Sequence, residues 1–116
     1  MRKFWDAAIA LNPKARELDE GLRFPVCREN ALRDLFTAAG LRDVATQAID
    51  VPTVFRDFDD YWSPFLGGQG PAPGYCVSLP VADRNALRDR IKASLPAGRD
   101  GKIALTARAW AARGTA

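Results

Sequence analysis

The residues of this chain best suited to chemistry are few, and one type is missing. No histidine occurs anywhere, which removes imidazole as a base or metal ligand and excludes Ser-His-Asp and Cys-His catalysis. Three carboxylates stand together at Asp57, Asp59 and Asp60, a grouping that acid–base or divalent-cation chemistry would use. Helix capping explains them more simply. Asp57 precedes a periodic apolar run, and Asp60 follows three residues later near the positive end of that helix. The run Gly67-Gly68-Gln69-Gly70 invites comparison with a phosphate cradle. It lacks a preceding strand, a following helix start and a P-loop lysine. Cys27 and Cys76 have no CxxC spacing, and two thiols without histidine make a poor zinc site. They read as reduced, buried thiols. The last candidate is apolar: Phe58, Trp62 and Phe65 form a stripe, followed by a Gly/Pro segment ending in Tyr75. The stripe reads as core and, set against that segment, as the roof of an apolar substrate pocket.

The elements that must position these residues follow from periodicity. Leu32, Leu35, Phe36 and Ala39 fall at i, i+3, i+4 and i+7, one apolar face of a helix. Gly40 is placed to end that helix in the left-handed conformation, with Leu41 folding back on Phe36. A β-prone run follows, with a strand expected over 44–51. Before it, Phe4, Ala8 and Leu11 mark a first helix over 2–11. Asn12-Pro13 then opens a short second helix that stops at Gly21. Arg23 to Cys27 is expected to be extended, because the residue before Pro25 is pushed out of the α region.

Beyond the strand, Phe55 to Leu66 predicts a helix capped by Asp57 and kinked or ended at Pro64. Residues 67 to 75 predict a long loop without local structure. Asp83 is expected to cap a last helix carrying Leu87, Ile91 and Leu95, stopped by Pro96. A turn over 97–101 leads to a closing strand at 102–110 and a loose tail.

Composition narrows the function classes. The 116 residues suffice for at most one domain, with 47% hydrophobic and 27% charged residues, as in an ordinary globular chain. The net charge of +3 is spread over every segment rather than striped, so a nucleic-acid interface is not expected. No apolar run approaches the roughly 18 residues of a membrane span. Met1 to Asp6 does not read as a secretory signal, and the cytoplasm is the expected location.

Helix, Leu35-Phe36-Thr37-Ala38-Ala39-Gly40-Leu41-Arg42-Asp43-Val44, then Ile49-Asp50-Val51-Pro52-Thr53-Val54-Phe55 resembles the C-terminal part of class I S-adenosylmethionine-dependent methyltransferases. The nearest likeness is to the small-molecule group labelled methyltransferase type 11 or ubiquinone/menaquinone-biosynthesis-like. Phe4 to Ala8, Asp57 to Gly68 and Ile103 to Trp110 fit in the same order, so the resemblance covers nearly the whole chain. It implies an α/β, partial Rossmann-like fold over residues 1–116. Amphipathic helices would pack on an antiparallel pair at 44–51 and 102–110, with the N-terminal parallel strands absent. The family's S-adenosylmethionine site lies in those strands, so the resemblance implies that this chain alone binds no cofactor and is inactive. What carries over is the substrate cover, with Trp62, Phe65, Gln69 and Tyr75 as substrate-binding candidates, no catalytic or cofactor-binding residue, and no metal. The methyl acceptor would be a small molecule.

A different reading is a non-catalytic association module. A two-stranded ribbon is marginal alone in water, and its last strand would present an unpaired edge. The expected partner is a second copy of the chain, or a separately encoded N-terminal half that supplies the missing strands.

Overall fold

The computed structural model describes residues 1–116 and is a mixed helix–strand fold with one two-stranded antiparallel sheet. In chain order come α1 (Arg2–Leu11), a 3₁₀ turn (Pro13–Leu18), α2 (Glu20–Arg23), a 3₁₀ turn (Pro25–Cys27), α3 (Glu29–Ala38) and β1 (Arg42–Phe55). Then follow α4 (Phe58–Trp62), a 3₁₀ turn (Ser63–Gly67), α5 (Pro71–Ser78), α6 (Val81–Ser94) and β2 (Ile103–Thr115). The chain forms two compact units: Met1–Arg23 with Val54–Ala104, and Phe24–Thr53 with Leu105–Ala116.

The first unit owns the buried core. α1 turns Phe4, Trp5, Ala7 and Ala8 inward. Phe4 stacks on Phe65 with ring centres 4.7 Å apart and planes 13° apart, and it meets Trp5 edge-on at 5.2 Å. Tyr61 and Trp62 pack on Phe65 from the neighbouring turn, at 5.6 and 5.8 Å. From α6, Leu87 and Ile91 are fully enclosed, and Leu95 and Ile103 extend the same core. The i, i+4, i+8 spacing of Leu87, Ile91 and Leu95 is therefore a true inward face.

One buried charge stabilises the entry to this unit. Asp19 is 1% exposed and receives both guanidinium nitrogens of Arg2, at 3.1 and 2.7 Å, and the Gly21 N–H at 2.9 Å. A Cβ on Gly21 would lie 3.2 Å from both the Arg2 and Asp19 side-chain atoms, so a larger residue there would press on the pair. Burial alone would raise the Asp19 pKa, yet the Arg2 bond, the Gly21 N–H and the nearby Arg16 charge hold its carboxyl below the usual range. The Trp5 indole N–H donates to Glu20 beside this pair.

The second unit has no buried residue at all. α3 ends as its sequence predicts: Gly40 has φ +82°, its N–H reaches Thr37 C=O at 3.0 Å, and the Leu41 N–H reaches Phe36 C=O at 3.3 Å. This is the Schellman pairing. The helix is tied to β1 by Arg33 on Thr46 (2.7 Å) and Thr46 on Glu29 (2.9 Å). Across the ribbon, Arg108 grips Asp50 with two bonds of 2.6 and 2.7 Å and lies 5.6 Å from the Trp110 ring centre. Leu35 on α3 remains 55% exposed.

Several expectations need correction. The strands are longer than 44–51 and 102–110, reaching 42–55 and 103–115, so the expected loose tail is β structure. Pro13–Leu18 and Pro25–Cys27 are 3₁₀ turns, and Gly21 lies within α2 rather than ending a helix. Residues 71–78 form a helix that takes in the second half of the loop expected over 67–75. Pro71 and Pro73 permit it, because their missing N–H groups fall in the first turn, where no intrahelical partner exists. α6 starts at Val81, with Asp83 inside its first turn rather than capping it. Cys27 is exposed, not buried, whereas Cys76 is buried; both are free thiols.

Phe4→Ala should cost about 3–5 kcal/mol in urea denaturation, through lost transfer energy and a cavity against Phe65. Because the folded Asp19 pKa is lowered, its contribution is complete above the unfolded value near pH 4 and is lost as pH falls through the folded value. Asp19→Asn should lower stability at neutral pH and flatten that acid limb.

Candidate functional site

The four residues expected to cover a substrate do not share one environment. Trp62 and Phe65 are 6% and 7% exposed and belong to the aromatic core built on Phe4. Gln69 is exposed on the short connection into α5 and is not among the residues lining the cleft at Tyr75. Tyr75 is half-buried and lines a cleft.

That cleft holds about 320 Å³ between α1, α5 and α6. Its floor is Ala8 and Leu87, both buried. Leu11, Leu79 and Ala86 form the apolar walls, and three polar side chains, Asn12, Tyr75 and Asp83, reach the same space. An apolar cavity with a few convergent polar groups is the usual build of a small-molecule site.

Each polar group is placed by local structure. Asn12 ends α1 and caps the 3₁₀ turn that follows, accepting the Lys14 N–H at 3.1 Å. Tyr75 is held on α5 with its ring 5.8 Å from Trp5 and 6.3 Å from Phe4. Burial pushes its hydroxyl above the ordinary tyrosine pKa; a hydrogen bond to the Asn12 side chain opposes this, and the Asp83 charge adds to it. At neutral pH the phenol is a neutral donor. Asp83, in the first turn of α6, has an exposed carboxylate that makes no ion pair within the chain.

The α5–α6 junction that forms the cleft wall is fixed by Arg84. Its guanidinium donates to the carbonyls of Cys76 (3.1 Å), Val77 (3.0 Å) and Leu79 (3.1 Å). These are carbonyls of the last turn and C-cap of α5, of which that of Cys76 also accepts the Leu79 N–H at 3.4 Å, and a cation there also meets the negative end of the helix. No sequence period marks this role. Cys76 lies beneath it, its thiol pushed up by burial and drawn back only in part by Arg84, so it stays a neutral packing group rather than a nucleophile.

The remaining candidates are accounted for structurally. Asp57 caps α4 by accepting the Asp60 N–H at 2.8 Å. Asp60 pairs with Arg56 at 2.8 Å, and that bond holds its carboxyl low. No group of three or more His, Cys, Asp or Glu is arranged to hold a metal ion. The glycine run follows a 3₁₀ turn and, contrary to expectation, does lead into a helix. With prolines at its first and third positions, α5 offers few N–H donors to a phosphate there. No helix is long and apolar enough to cross a membrane. Tyr61 keeps a buried hydroxyl without a hydrogen-bond partner, its pKa raised by burial.

The chain matches no protein-family model, no curated protein and no solved structure.

Substitutions separate core from cleft. Trp62→Ala and Phe65→Ala should each lose about 3–5 kcal/mol of stability, whereas Gln69→Ala should stay within about 0.5 kcal/mol of the parent. Arg84→Ala should cost about 1–3 kcal/mol by removing its three bonds to the α5 end. Thermal unfolding followed by circular dichroism measures all four.

Proposed function

We propose that this chain is the substrate-side part of a class I methyltransferase-type domain, and that the reaction it serves is methyl transfer from S-adenosylmethionine to a small molecule. The observation that supports this reading is the order of parts around the ribbon. An amphipathic helix stopped by Gly40 leads into β1, a helical insertion follows, and β2 returns antiparallel to β1. In a class I methyltransferase sheet such a pair would be the terminal hairpin, and the helical insertion would be the cover over the substrate.

The residues present do not fit the cofactor itself. Nucleotide-type ligands of doubly wound sheets sit at the carboxyl ends of parallel strands, on a glycine-rich turn that opens a helix. Here the two strands are antiparallel, and the glycine run follows a 3₁₀ turn. The chain's own share of the chemistry is therefore an apolar cover that excludes water and orients the acceptor. The cofactor-binding strands would come from another polypeptide segment.

A second reading, a non-catalytic association module, is favoured by the bare ribbon. Ile49 and Val51 are 51% and 53% exposed, and by strand alternation they lie on the face opposite Thr46 and Asp50. β1 is guarded by Pro52 and by Asp43 at φ +51°, but β2 carries neither device. A second copy pairing along β2 would complete a four-stranded sheet.

Calorimetric titration of the purified chain with S-adenosylhomocysteine, with light scattering on the same sample, tests both readings. A folded oligomer without binding is expected from the association module. A chain that gains binding only when mixed with a methyltransferase lacking its last two strands supports the first reading. Micromolar binding by the chain alone would overturn the placement of the cofactor site in another segment. A monodisperse monomer that gains no binding on such mixing would sink both.

A further inference from the structure

We infer that the cleft between α1, α5 and α6 is a binding site for a small organic cation: an ammonium group carried on an apolar body. The cleft's volume of about 320 Å³ admits a single ring or a short alkyl chain with its polar head. The body of such a ligand meets Leu11 and Leu79 and rests on the buried Leu87. The head has a defined destination. Asp83 is the one charged side chain lining the cleft, and it lacks an ion-pair partner within the chain.

The other two polar groups fit the same head. Tyr75 brings a neutral hydroxyl, whose oxygen accepts from an ammonium or an alcohol alike. The Tyr75 ring is held against Phe4 and Trp5, and the Asn12 side chain is fixed by the Lys14 N–H, so both groups are placed before any ligand arrives. Asp83 repels carboxylates and phosphates from the same space. An alcohol of the same shape finds the apolar walls and Tyr75 but gains nothing from the charge. The discrimination is moderate, because Asp83 is solvent-exposed and faces the positive end of α6. The site stands whether or not the chain serves methyl transfer, since every group in it belongs to the first unit.

Three probes of one shape and different charge test the site: phenethylamine, phenethyl alcohol and phenylacetate, each titrated into the full chain and followed by two-dimensional amide NMR. The amine is expected to shift the amides of Asn12, Tyr75, Leu79 and Leu87, and to bind about fivefold more tightly than the alcohol. Phenylacetate should bind more weakly than either, and added salt should shrink the amine's advantage. Asp83→Asn, with unchanged circular dichroism, should bring amine and alcohol to equal affinity. Ala86→Trp, on the exposed rim, should abolish binding of all three by filling the cleft. Equal binding of amine and carboxylate, a preference that survives Asp83→Asn, shifts that map away from α1, α5 and α6, or no binding of the amine would each overturn the inference.

Discussion

The stack of Phe4 on Phe65 is the contact on which the first unit depends. It joins the opening helix to a turn far along the chain, at a centroid separation of 4.7 Å. Trp5, Tyr61, Trp62 and Tyr75 each contact one or both of those rings. Aromatic pairs of this kind add about 0.5–1.5 kcal/mol beyond the area they bury. Their greater effect here is geometric. With α1 held against the aromatic turn, Ala8 and Leu11 face Leu79 and Leu87, and the cleft exists as a consequence of that docking. The polar groups then inherit their positions from α1, α5 and α6 and need no loop to carry them.

The second unit is organised differently. A helix of 10 residues and two long strands hold together through directional bonds: Arg33–Thr46–Glu29 on one side and Arg108–Asp50 across the ribbon. Exposed pairs of this sort are each worth less than about 1 kcal/mol, and no side chain of the unit is buried. Its register is therefore better specified than its stability. The exposed Leu35, Ile49 and Val51 are the surface that a further layer of structure would cover.

Local signals were legible in the sequence and long-range ones were not. The Gly40 stop, the Asp57 cap and the Leu87–Ile91–Leu95 face could be read because each is set within a few residues by backbone geometry or helical period. The helix at 71–78 escaped because its prolines resemble breakers, and only their position in the first turn makes them harmless. Trp62 and Phe65 carried a true apolar signal, but periodicity cannot distinguish a pocket wall from a ring stack. The stacking partner of Phe65 is Phe4, 61 residues earlier in the chain, and no local period reveals it. Arg84, Asp19 and the convergence of Asn12, Tyr75 and Asp83 leave no local pattern at all, since each depends on partners brought together only by folding.

The clamp made by Arg84 also fixes how this part of the chain can change length. Its three acceptors lie five to eight residues before it, so one residue inserted at Leu79-Pro80 would rotate the guanidinium away from all of them. Insertions or deletions between α5 and α6 therefore have no small step available. The turn at 97–101 is closed by its own backbone bonds and carries no such coupling. A lineage descended from this chain should accumulate length differences at that turn while the α5–α6 spacing stays constant.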